Sequence, residues 1–93
     1  MIEETPRGLA LRLTLSLKNG LHARPAARLA QEAQRHDADI LLICDNGEAD
    51  AKSMLDVLSL SPAPDAELTL LANGPDARVA LQSLAQFLAN LQD

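Results

Sequence analysis

Asn19-Gly20-Leu21-His22-Ala23-Arg24-Pro25-Ala26-Ala27 runs from a turn through a histidine into a helix. Asn-Gly marks a turn, because glycine takes positive φ without steric penalty. Pro25 reads as part of a first helical turn, where its missing N–H is among the four that find no partner inside the helix. His22 therefore falls just outside that helix or at its cap. The first-turn N–H groups and the positive end of the helix dipole then lie beside its ring. Arg24 adds a permanent cation whose planar fork of donors suits phosphate. A histidine nucleophile at a preformed anion site is what reversible phosphorylation of an imidazole requires. His22 is accordingly the candidate catalytic residue with Arg24 beside it, and the backbone N–H groups of Ala23 and Arg24 are the candidate phosphate donors. Attack on phosphorus needs the neutral ring, since the imidazolium has no free lone pair.

The pattern on either side predicts the elements. Upstream, Leu9, Leu11, Leu13, Leu15 and Leu17 alternate with Ala10, Arg12, Thr14 and Ser16, a strand with one buried face. Residues 1–8 show no periodicity and read as an N-terminal tail or linker, leaving residues 9–93 as the domain. Downstream, a helix from about Ala23 to Arg35 places Ala26, Leu29, Ala30 and Ala33 on one face. Ile40 to Cys44 and Glu48 to Asp50 form a hairpin around Asp45-Asn46-Gly47. Ala51 to Leu58 or Ser59 reads as a short helix, ended by Ser61-Pro62-Ala63-Pro64-Asp65. Leu68 to Ala72 is a fourth strand, and Asn73-Gly74-Pro75-Asp76 opens a last helix with Ala77, Leu81, Leu84, Leu88 and Leu91 on one stripe, Ala80 and Phe87 beside it. The order β-α-β-β-α-β-α points to an α+β fold, with helices covering one face of an antiparallel sheet.

Ninety-three residues make one domain with a single core, which the 47% hydrophobic content supplies. A net charge of −5 and the absence of Trp and Tyr argue against nucleic acid, which needs basic surface and stacking rings. No apolar run reaches the length of a membrane span, and no basic-then-apolar leader stands at the front, so membrane insertion and export are not expected. The single cysteine, Cys44, fits a reducing cytoplasm and reads as a small buried hydrophobe. His22, His36 and Cys44 lack compact metal-ligand spacing, so no metal is expected, and His36 reads as solvated.

Gly20-Leu21-His22-Ala23-Arg24-Pro25-Ala26 resembles the active-site signature of HPr, the histidine phosphocarrier of the bacterial sugar phosphotransferase system. The similarity runs from about Leu11 to Leu91, and Ala51-Lys52-Ser53-Met54-Leu55 resembles the segment around that family's regulatory serine. The resemblance implies an open-faced fold of four antiparallel strands under three helices. It implies a monomeric, stoichiometric carrier rather than an independent catalyst, with no cofactor beyond a phosphoryl group derived from phosphoenolpyruvate. That group would arrive from enzyme I, sit on Nδ1 of His22 and leave for an enzyme IIA, both partners being transient. The resemblance implies further that Ala23, Ala27, Met54, Leu55 and Leu58 form an apolar docking patch rimmed by Arg28 and Lys52. Ser53 matches a serine that a dedicated kinase phosphorylates in some members; its plain structural role would be to cap the short helix. Gln31, Gln34 and Asp56 stand where basic residues are common in the family, and the Pro-rich loop replaces a glycine-containing one. Two further readings follow: an HPr-like domain of a multidomain phosphoryl transfer protein, or a regulatory binding module switched by phosphorylation.

Overall fold

Gly8 opens the longest stretch of alternating leucines. In the computed structural model, which describes residues 1–91, strand β2 spans Gly8–Thr14 and turns Leu9, Leu11 and Leu13 toward the core. The strand ends earlier than the alternation predicts. Leu15 leaves the ladder: its N–H donates to the Ala66 carbonyl at 2.8 Å, and its carbonyl accepts from the Asp65 N–H at 2.9 Å. Leu15 and Leu17 nevertheless stay buried, so the leucine period reports burial past the end of the strand.

Residues 1–8 are not a tail. Ile2–Thr5 forms strand β1, antiparallel to β2, with Ile2 opposite Leu11 and Thr5 opposite Gly8. The Thr5 hydroxyl donates to the Gly8 carbonyl at 2.8 Å and accepts the Arg7 N–H at 3.2 Å, closing a turn in which Gly8 takes φ 136°. Few side chains tolerate that angle. The Asn73 amide donates to the Arg7 carbonyl, and Ile2 packs against the core. A four-residue strand with one apolar side chain offers no alternation to read.

The remaining elements are α1 (Ala23–Ala33), β3 (Asp39–Cys44), β4 (Gly47–Asp50), α2 (Met54–Leu60), β5 (Glu67–Asn73) and α3 (Ala77–Asn90). The sheet has five strands in the order β1-β2-β5-β3-β4, every neighbouring pair antiparallel. It gains β1 over the four strands expected, and the fold class stands. Leu68, Leu70 and Ala72 of β5 and Ile40 and Leu42 of β3 face the core, where Ala26, Leu29 and Ala33 of α1 and Leu81, Leu84 and Leu88 of α3 meet them. Burying such an aliphatic side chain contributes about 1.5–3 kcal/mol. Among the described residues, no helix lies on the opposite sheet face. Ala49 turns inward, so its neighbour Glu48 points to that open face, where Arg7 reaches it from the far edge with N···O distances of 2.7 and 2.9 Å.

Helix α2 begins at Met54, three residues after the expected Ala51, and the reason is local. The Ala51 N–H donates to the Ile40 carbonyl at 2.9 Å and so prolongs the sheet. Ser53 then caps the helix, its hydroxyl accepting the Asp56 N–H at 3.2 Å. His36, expected to be solvated, is largely buried instead, its side chain 13% exposed. The N-terminus of α3 docks on the loop after α1 and brings the Asp76 carboxylate to 3.7 Å from His36 Nδ1.

Candidate functional site

His22 is the N-cap residue of α1, with extended backbone (φ −91°, ψ −167°). Its carbonyl accepts the Ala26 N–H at 2.9 Å, while its ring makes no capping hydrogen bond. The ring is thus held by its backbone and stands exposed, as do Ala23 and Arg24. The amides of Ala23 and Arg24 are first-turn donors that no carbonyl within the helix can reach, and Pro25 contributes none. No Asp or Glu occupies the first turn of α1, so its positive end is not neutralised by its own side chains. Pro25 and Ala26 are buried and anchor the turn to the core. An exposed imidazole at a helix N-terminus, with Arg24 exposed two residues further on, can take up and release a phosphoryl group.

A shallow cleft of about 290 Å³ opens at the histidine, lined by Asn19, Leu21, His22, Ala23, Leu58, Ser61, Pro62 and Ala63. Half of its lining comes from one stretch, residues 19–23, and the rest from the end of α2 and the loop after it. The chain brings these together through a backbone hydrogen bond from the Leu21 N–H to the Pro62 carbonyl at 3.2 Å. Reading along the sequence finds the first stretch but gives Ser61, Pro62 and Ala63 only as a helix stop. They lie about 40 residues away, and no local spacing announces the encounter.

The anticipated docking residues separate into two groups. Ala23 and Leu58 line the cleft with His22, and Leu55 is exposed at 74%. Met54 is 38% exposed, Ala27 half-buried and Arg28 exposed with its guanidinium carbon 5.9 Å from the centre of the Phe87 ring. Lys52 lies at the other end of α1, whose 11 residues span about 16 Å. Its ammonium donates to the His36 carbonyl at 2.8 Å, and its own carbonyl accepts from the Gln34 amide at 2.8 Å. Ser53 follows it there, engaged as the cap of α2, with the Asp56 carboxylate alongside accepting the Asp50 N–H at 3.2 Å.

Known proteins are similar over most of the chain. The profile of the family described as "PTS HPr component phosphorylation site" matches residues 10–90. The chain is 40% identical over 77 residues to the HPr-like protein Crh of Bacillus subtilis (strain 168), covering 83% of this chain and 91% of that one. It is 36% identical over 80 residues to the phosphocarrier protein HPr of Buchnera aphidicola subsp. Baizongia pistaciae (strain Bp), covering 86% and 94%. The crystal structure of HPr from Bacillus anthracis str. Ames superposes with a TM-score of 0.79 at 42% identity, covering 84% of this chain and 93% of that one. The match begins at residue 10, so strand β1 and Arg7 precede the part shared with the family profile. With an exposed histidine capping the first helix and the sheet open on one face, this chain belongs to the HPr family of histidine phosphocarriers of the phosphotransferase system.

Proposed function

We propose that the chain is a phosphoryl carrier of the phosphotransferase system, charged on Nδ1 of His22 by the phosphohistidine of enzyme I and discharged to an enzyme IIA in the cytoplasm. The observation that carries this reading is the exposed, uncapped ring of His22 at the N-terminus of α1. Transfer forms one P–N bond on His22 as the P–N bond to the donor breaks, and the lone pair of the neutral ring supplies the electrons. Arg24 and the first-turn amides stabilise the charge on the three phosphoryl oxygens, while the donor and acceptor proteins supply the rest of each site. Ala23, Leu58 and the exposed Leu55 and Met54 form a small apolar surface suited to brief docking.

Phosphorus NMR tests this after mixing the protein with phosphoenolpyruvate, magnesium and catalytic enzyme I, with His22→Ala alongside. An acid-labile phosphohistidine signal that needs His22 is expected; no signal with an active, cognate enzyme I would sink the reading. The similarity to Crh, described as the Bacillus subtilis catabolite repression HPr, favours a second reading, a regulatory binding module switched by phosphorylation. Charging of His22 without onward transfer to any enzyme IIA would select it.

A further inference from the structure

Ser61 is the C-cap of α2 and lies in the left-handed region, at φ 49° and ψ 59°. A side chain is disfavoured there, and glycine is the residue that usually ends helices this way. The conformation is held locally. The Ser61 N–H donates to the Val57 carbonyl at 3.1 Å, and its hydroxyl donates to the Leu58 carbonyl at 2.8 Å. The next residue, Pro62, has a fixed φ, is buried, and lines the same cleft as His22. Its carbonyl accepts the Leu21 N–H at 3.2 Å and packs so closely on Gly20 that a Cβ at that position would collide with it. Gly20 itself has φ 70°, and its carbonyl accepts the His22 N–H at 3.1 Å. Every link from the end of α2 to the histidine is therefore a backbone contact.

We propose that Ser61 and Pro62 are positioning residues for His22: the left-handed turn at Ser61 aims the Pro62 carbonyl at Gly20 and Leu21, and so fixes where the imidazole stands. The inference rests on the phosphocarrier reading for its functional meaning. Ser61 acts through its backbone conformation, not through its hydroxyl. A valine at 61 should leave the left-handed region, since its β-branch is incompatible with it, whereas a glycine should keep it.

The test measures acceptance of phosphate from phosphorylated enzyme I by the full chain and its Ser61→Val, Ser61→Gly and Pro62→Ala variants. Hydrogen exchange of the Leu21 amide is followed by NMR on the same samples. Ser61→Val should lower kcat about tenfold, as a misplaced reacting group does, with KM within about twofold of wild type because the docking side chains of Ala23, Met54, Leu55 and Leu58 are all retained. Leu21 exchange should rise about tenfold in Ser61→Val and, to a lesser degree, in Pro62→Ala, which guards against a valine variant that fails to fold. Ser61→Gly should rescue both readouts. Wild-type kcat and Leu21 exchange in Ser61→Val and Pro62→Ala would overturn the proposal, as would a rise in KM alone. Equal damage from Ser61→Gly would overturn it too, by placing the effect in the hydroxyl. If the wild-type chain takes no phosphate from enzyme I, the carrier reading fails separately, and Leu21 exchange still decides whether the turn positions the histidine loop.

Discussion

Arg24 stands two residues after His22, exposed in the first turn of α1, and its value to a phosphoryl group lies in geometry as well as charge. A guanidinium presents paired donors in one plane, which match two phosphoryl oxygens at once; an ammonium is a point charge on a flexible stem. Arg24→Lys should therefore leave folding unchanged and docking nearly so, while kcat for phosphate acceptance drops about tenfold, an expected loss of roughly 1.4 kcal/mol in transition-state stabilisation. Stopped or quenched-flow transfer from phosphorylated enzyme I reads this directly. A lysine variant as fast as wild type would reduce Arg24 to a solvated helix residue. Ser61 belongs to the same scale, since a single dihedral there bears on where the imidazole stands.

The short helix α2 shows how one side chain sets the boundary of an element. Ser53 caps it by accepting the Asp56 N–H, and the Asp56 carboxylate turns back to the Asp50 N–H, so two otherwise unpaired donors are satisfied. Ser53→Ala should cost about 1 kcal/mol in chemical denaturation, with Ser53→Asp recovering most of it because a carboxylate is an equally good cap. Loss of less than a few tenths of a kcal/mol in the alanine variant would show that the cap contributes little. The same element marks what can be read from sequence. Apolar spacing placed α2 between the right strands but not at Met54, because the capping hydroxyl competes with helix continuation over Ala51 to Ser53. The α1 site was legible because a turn, a histidine, a cation and a proline fall within seven consecutive residues, 19–25. Strand β1 was not, since Ile2-Glu3-Glu4-Thr5 carries its pairing in the backbone and in a turn closed by Thr5 and Gly8. Pro62 was legible only as a helix stop, because its contact with Leu21 depends on how the whole domain closes.

Among the described residues, Asp76 and Glu48 each hold a long-range polar tie through a carboxylate. Asp76, at the start of α3, accepts the N–H groups of Asp37 at 3.0 Å and Ala38 at 2.8 Å, fastening the loop after α1. Glu48 accepts both guanidinium nitrogens of Arg7 and joins the β1–β2 turn to the opposite edge of the sheet. Burial opposes the charge on Asp76, but the N–H groups of Asp37, Ala38 and Asp76 itself, with His36 alongside, hold its pKa below the ordinary 3.8. The hydrogen bond from Arg7 leads for Glu48 and holds it below the ordinary 4.5 against a smaller opposing effect of desolvation. A carboxylate with a depressed folded pKa stabilises the fold fully above its unfolded pKa, and the contribution is lost as pH falls through the folded one. These ties should therefore leave the melting temperature flat between about pH 7 and 5.5 and lower it progressively below about pH 4.5. Asp76→Asn and Arg7→Ala should each make the acid limb shallower, and their effects should add because they tie different elements. Salt separates the two: the Arg7–Glu48 pair is 55% and 42% exposed, so its share should fade at high ionic strength. The Asp76 share rests mainly on short backbone hydrogen bonds and should persist. Melting curves from pH 3 to 7 at low and high salt measure both, and an Asp76→Asn limb as steep as wild type would show that the charge on Asp76 is not what fastens α3 to the loop after α1.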